Sequence, residues 1–277
     1  MNAKTVILNE TKRLAQFSNE AKAEIRILFE FVTGKDAVVS MLEESDISDC
    51  EVQTIKKAVD RLLKGEPIQY VMGTWSFMGN DFIVTPDVLI PRADTEILCE
   101  SVIRYINEKN IVTRVLDLCS GSGCIGISIA KSCEKAYVDC TDISLSAVEI
   151  IKKNAQQNGI LKRVNAFCSD MFEKCATYDI IASNPPYIPS DDIDTLDDKV
   201  RLFEPRTALD GGSDGLDFYR IIAKNARKHL SDDGILFMEI GFDERLAVTD
   251  IFKAHGYSDI TCIKDYSGND RVITCRV

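Results

Sequence analysis

The chain has 277 residues, a formal net charge of −11, and 45% hydrophobic and 28% charged residues. That composition is ordinary for a soluble globular protein, and the length allows one large domain or a core with a smaller companion. No apolar run reaches bilayer-spanning length and no signal-peptide core follows Met1-Asn2-Ala3-Lys4, so a cytoplasmic protein without membrane contact is expected.

From Thr5 to about Leu63 the apolar spacing is helical. Ile25, Leu28, Phe29 and Val32 form one stripe, with Gly34 as its C-cap. A second helix starts near Ser48, carries Val52, Ile55, Val59 and Leu62, and stops at Gly65 with Pro67 beyond. Between Gln69 and Val84 the period changes. Phe77-Met78 and Phe82-Ile83-Val84 flank Gly79-Asn80-Asp81, which is expected to be a hairpin turn.

From Arg114 onward, strand and helix alternate. Strands are expected at Arg114 to Leu118, Tyr137 to Asp142, Val164 to Cys168, Tyr178 to Ala182 and Ile235 to Ile240, with a closing hairpin of Ile260 to Lys264 and Arg271 to Cys275. Helices fall at Gly123 to Lys131 and Ser144 to about Asn158. This pattern specifies an α/β fold with a mostly parallel sheet covered on both faces. The ten cysteines show no C-x-x-C spacing and there are two histidines, so no metal site is expected and the cysteines read as buried free thiols.

Ligands of such sheets bind at the C-terminal strand ends, near the point where strand order reverses. The loop Cys119-Ser120-Gly121-Ser122-Gly123 lies there and opens a helix, so its backbone can approach a ligand closely. Asp142 ends the next strand, where a carboxylate can accept from two ribose hydroxyls. Ser169-Asp170-Met171 ends the third. Asp170 could accept from an exocyclic amine, and Met171 could pack on a ring face. These features favour a nucleoside cofactor without choosing one. Gly121, Gly123 and Gly126 also fit the dinucleotide pattern, and Asp142 before Ser144 fits a helix cap.

Asn184-Pro185-Pro186-Tyr187 follows the fourth strand. Two prolines cannot extend a sheet, so the chain leaves it as a fixed extended turn with free carbonyl acceptors. A planar –NH2 group there can donate to the Asn184 oxygen and to a proline carbonyl, with Tyr187 stacked on the group. Two fixed acceptors align the poorly nucleophilic lone pair of an amide and support the charge that develops on it. A plain surface turn is the alternative, since Asn-Pro is common in turns.

With these residues the chain resembles the HemK/PrmC family, the glutamine amide methyltransferases of peptide-chain release factors. Further likeness lies in Gly65-Glu66-Pro67-Ile68-Gln69-Tyr70, Ile90-Pro91-Arg92-Ala93-Asp94-Thr95-Glu96, Glu204-Pro205-Arg206-Thr207-Ala208-Leu209, Gly211-Gly212-Ser213-Asp214-Gly215-Leu216 and Glu239-Ile240-Gly241. Cys119 stands where such enzymes usually have glycine, and Asp94 where they have glutamate. The resemblance implies a Rossmann-like class I methyltransferase sheet, S-adenosylmethionine as cofactor, and catalysis at Asn184, Pro185, Pro186 and Tyr187. It also implies release factors as partners, through their Gly-Gly-Gln loop. The expected division is 1–66 as a helical substrate-docking domain, 67–92 as a β-hairpin linker and 93–277 as the methyltransferase domain. An adenine or guanine amino methyltransferase would share the Asn184 motif. The acidic charge and the narrower motifs make nucleic acid the less expected partner.

Overall fold

Five helices open the chain in the computed structural model, which describes all of residues 1–277. They are α1 (Ala3–Leu14), α2 (Ala21–Thr33), α3 (Ala37–Leu42), α4 (Asp49–Leu62) and α5 (Ile68–Met72). Their ends follow local rules closely. Asn2, Asp36 and Ser48 each accept a backbone N–H of the first turn, Ser48 and Glu51 form a reciprocal capping box, and Gly34 ends α2 in the left-handed region. The stripes of α2 and α4 meet in one core of Ile25, Leu28, Phe29, Val52, Ile55, Val59 and Leu62. Ile68 of α5 is buried in the same core. The helical unit therefore runs through Thr74, where the sequence reading placed its end at residue 66.

Residues 197–203 also belong to this unit. The Lys199 ammonium lies 2.7 Å from the buried Glu24 carboxylate, and the Phe203 ring lies against Gly65, which has a positive φ.

The second unit comprises residues 75–196 and 204–277. Near its start lies the hairpin of β1 (Thr74–Phe77), whose first residue is the last of the helical unit, and β2 (Asn80–Ile83). The turn falls at Met78-Gly79, one residue before the expected start, and both have positive φ (50° and 68°). A two-residue hairpin turn of type I′ needs that conformation at both central residues. Met78 is held in it by its N–H, which donates to Glu96 Oε1 at 2.7 Å.

The chain continues as α6 (Glu96–Lys109), β3 (Thr113–Leu118), α7 (Cys124–Ser132), β4 (Ala136–Asp142), α8 (Leu145–Gln157), β5 (Val164–Cys168) and β6 (Tyr178–Ser183). Then follow α9 (Asp198–Phe203), α10 (Asp217–Asn225), β7 (Leu230–Glu239), α11 (Arg245–Ala254), β8 (Ser258–Lys264) and β9 (Asp270–Arg276). The seven strands lie in the order β5-β4-β3-β6-β7-β9-β8. All pairings are parallel except those of β9, which runs antiparallel to β7 and β8. β7 starts earlier than expected, at Leu230. One core joins the sheet to α6, α7 and α8, and a second joins it to α10 and α11. No helix is long and apolar enough to cross a membrane. All ten cysteines are free, and Cys50 is exposed where a buried thiol was expected.

Candidate active site

Strand order reverses between β3 and β6, whose neighbours in sequence lie on opposite sides of them. Leu118 and Ser183 are register partners, and the Ser183 hydroxyl donates to the Leu118 carbonyl at 2.7 Å. The segments starting at Cys119 and Asn184 therefore leave the sheet side by side.

The first is a tight turn. Ser120 N–H donates to the Thr141 carbonyl and its hydroxyl to the Asp117 carbonyl. Gly121 N–H donates to Asp142 Oδ2, and Ser144 N–H donates to Asp142 Oδ1, both at 2.9 Å. Asp142 is thus both a local cap and the brace of the glycine loop. Its two oxygens offer about four acceptor positions, of which these N–H groups use two. Burial holds its carboxyl above the usual range. Gly123 caps α7 at φ 78°, and a Cβ there would lie 3.0 Å from Ile151. At Gly126 a Cβ would come within 2.5 Å of Cys140 Sγ, so only glycine lets α7 approach β4 this closely.

These strand ends wall a cavity of about 440 Å³, within the usual range for small-molecule sites. Cys119, Gly121, Asp142, Asp170, Met171, Asn184 and Pro186 line it. Ser120, Ser122, Gly123, Pro185 and Tyr187 do not. A nucleoside cofactor fits this wall: Asp142 has acceptor capacity to spare, Asp170 is exposed at the rim, and Met171 offers an apolar flank beside Phe218 and Ile221. Cys119 and Met171 both have positive φ (62° and 44°), and their sulfurs lie 3.9 Å apart. Non-glycine residues in that region carry strain of about 1–3 kcal/mol each. Burial pushes the Cys119 thiol well up, so it is no nucleophile.

In the second segment, Pro185 and Pro186 are buried and Asn184 and Tyr187 half-buried. The Asn184 Nδ2 amide donates to the Thr95 hydroxyl at 3.2 Å, while no protein donor reaches its Oδ1. The carbonyls of Pro185 and Pro186 likewise accept nothing from the protein. Tyr187 turns away from the cavity. Its ring packs on the α10–α11 side of the sheet, and its phenol lies 3.4 Å from Glu239 Oε1. Burial pushes that phenol far up, keeping it protonated.

The glycine-rich loop after Glu204 clasps this turn. Ile188 N–H donates to the Leu209 carbonyl, Gly211 N–H to the Ile188 carbonyl, and Ser190 N–H to the Gly212 carbonyl. A Cβ on Gly211 would sit 2.7 Å from Tyr187 Cα, and one on Gly215 2.4 Å from the Tyr187 oxygen. Glu204 is itself buried. It accepts from Ile90 N–H at 3.1 Å and pairs with the Arg92 guanidinium, so two motifs far apart in sequence brace each other.

Two buried carboxylates here were not among the site residues expected from the sequence. Asp117, on β3, accepts from Gly126 N–H through Oδ2, leaves Oδ1 without a partner, and is pushed by burial to about 7. Glu239, at the end of β7, is pushed by burial to about 7 as well. Glu239 stood within the Glu239-Ile240-Gly241 likeness without a role, and Asp117 was marked only as a charged residue in an otherwise apolar strand. Asp94, which stands where such enzymes have glutamate, pairs with Arg271 of β9 at 3.2 Å.

Residues 95–200 match the family Methyltransferase small domain, and residues 7–73 match the PrmC N-terminal domain. The release factor glutamine methyltransferase of Agrobacterium fabrum is 40% identical over 91% of this chain and 89% of its own length. That of Clostridium acetobutylicum is 39% identical over 99% of this chain and 98% of its own. Among solved structures, a methyltransferase from Pyrococcus furiosus aligns with a TM-score of 0.52 at 19% identity, covering 79% of this chain and 98% of its own, a likeness of fold alone.

Proposed function

Because the chain belongs to the release factor glutamine methyltransferase family, we propose that it methylates the side-chain amide nitrogen of the glutamine in the Gly-Gly-Gln loop of peptide-chain release factors, using S-adenosylmethionine. One observation supports the reading most. Asn184 commits its NH2 to Thr95 and keeps Oδ1 free on the cavity wall, beside proline carbonyls that accept nothing from the protein. This is a pair of fixed acceptors for a primary amide.

When bound, the cofactor supplies an electrophilic methyl group on a sulfonium. The Cys119–Gly123 backbone and Asp142 would hold its ribose end, with Asp170 and Met171 at the base. Asn184 Oδ1 and a proline carbonyl would each accept one proton of the glutamine –NH2, fixing the plane of the amide and aligning its lone pair. The same acceptors stabilise the positive charge that grows on nitrogen as the N–C bond forms and the methyl–sulfur bond breaks, and the surplus N–H proton then passes to water. Tyr187 serves from behind, through its backbone clasp with Gly211 and Gly215, in place of the stacking role read from the sequence.

The test is methyl incorporation into an intact release factor, a Gly-Gly-Gln peptide and duplex DNA, side by side. The intact factor should be labelled fastest and the DNA not at all. DNA labelled faster than the factor overturns the reading in favour of a nucleic-acid enzyme.

A further inference from the structure

Asn184 can hold a substrate amide only if its own side chain stays in one place. It lies one residue past the end of β6, beyond the last rung of the sheet ladder on either side. Its position must therefore come from the loops around it.

Two loops meet at this residue. The first runs over residues 88–95. Its Thr95 hydroxyl accepts from Asn184 Nδ2 at 3.2 Å. One tight turn leads back from Thr95 to Arg92, closed by the Thr95 N–H on the Arg92 carbonyl at 3.1 Å.

The second runs over residues 204–212. It is stiffened by Ala208 N–H on the Pro205 carbonyl and Leu209 N–H on the Arg206 carbonyl, at 2.9 and 3.0 Å. It grips Ile188 from both sides: Ile188 N–H donates to the Leu209 carbonyl at 3.0 Å, and Gly211 N–H to the Ile188 carbonyl at 2.8 Å. The Ser190 hydroxyl adds a bond to Asp210 Oδ1 at 2.6 Å. Between Ile188 and Asn184 stand Pro185 and Pro186, whose rings fix φ, so the grip on Ile188 is passed to Asn184 with little slack.

Glu204 ties the two loops together. Its side chain is 1% exposed. One carboxylate oxygen accepts from Ile90 N–H at 3.1 Å, and the other accepts from the Arg92 guanidinium. The contacts close a ring that runs from Asn184 through Thr95, Arg92, Glu204, Leu209 and Ile188 back to Asn184. Stability alone does not call for a charge at this point, because a buried ion pair is often no better for folding than apolar side chains of similar volume. What the pair adds is direction, since charge-assisted bonds are short and demanding in geometry.

We propose that Glu204 and Arg92 are positioning residues for Asn184, their ion pair closing the ring that holds its amide at one place on the cavity wall. Neither lines the cavity, so both act through the loops they join. The effect on turnover rests on the methyl-transfer reading; the ring itself does not.

Variants of the full chain test it. Glu204→Gln keeps an acceptor for Ile90 N–H and removes the charge, Arg92→Met removes the guanidinium, and the double variant leaves no buried charge unpaired. On intact release factor each should lower kcat roughly 10–10²-fold, the scale of a displacement of about 1 Å near a reacting group. KM for the factor and the calorimetric affinity for S-adenosylmethionine should change far less. The double variant separates positioning from folding: its melting temperature should return close to wild type while kcat stays low. Arg92→Lys, which keeps a cation beside Glu204, should turn over faster than Arg92→Met. The Asn184 side-chain amide resonance, assigned by its loss in Asn184→Asp, should shift or broaden in the double variant. A kcat that recovers together with the melting temperature, equal rates for Arg92→Lys and Arg92→Met, or an unmoved resonance overturns the proposal. Absence of methylation by wild type overturns the functional reading instead, and the resonance still decides the ring.

Discussion

The helical unit and the C-terminal ends of the sheet strands follow opposite habits. In the first, most local rules hold: Asn2, Asp36 and Ser48 cap their helices and Gly34 takes the left-handed position where glycine is at ease, while α2 lacks a side-chain cap and Glu44 alone among the non-glycine residues is left-handed. In the second they are broken repeatedly. Cys119 and Met171 adopt left-handed backbone, and Asp117 and Glu239 are buried with an oxygen unpartnered. Such violations persist only where the surrounding structure over-determines them, and they gather where a ligand or substrate is handled. The helical unit holds its elements mainly by local caps and one apolar core. The strand ends carry left-handed non-glycine residues and unpartnered buried oxygens beside the cavity.

Substitutions can break or sharpen that contrast. The largest effect belongs to the site. Asn184→Ala should leave S-adenosylmethionine binding, measured by calorimetry, nearly intact while cutting methyl transfer ~10²–10³-fold, the usual loss for one oriented polar contact. Wild-type turnover in that variant would remove Asn184 from the chemistry. A smaller effect of opposite kind lies in the helical unit. Ser48→Ala removes a capping box and should lower unfolding free energy by about 1 kcal/mol with kcat unchanged. Denaturant midpoints and single-turnover rates on the same samples check it. The smallest effect tests strain directly. Cys119→Gly relieves a left-handed non-glycine residue but loosens the unfolded chain, so a net gain of a few tenths to about 1 kcal/mol is expected. A lower melting temperature would mean that the Cys119–Met171 contact outweighs the strain.

Much of this was legible in advance. Alternation of apolar runs and helical stripes gave the sheet, its switch point and the helical unit, because period and capping act over a few residues. The glycine loop, Asp142 and the Asn184 turn were likewise readable as groups at strand ends, and Cys119, Gly121, Asp142 and Asn184 line one cavity there. Tyr187 was not. Its residue type fits stacking on a substrate, but the clasp with Gly211 and Gly215 and the buried Glu239 turn its ring away from the cavity.

The sequence by itself determined the elements, their order and the side chains available at each strand end. Tertiary structure alone decided which of them meet. Thr95 reaches Asn184 across 89 residues of chain, Arg92 reaches Glu204 across 112, and Lys199 joins the helical unit through Glu24 across 175. The physical reason is range. Propensity, period and caps are set by neighbours within a turn or two, whereas a buried hydrogen bond between distant residues exists only after the sheet has closed and excluded the water that would otherwise satisfy both partners.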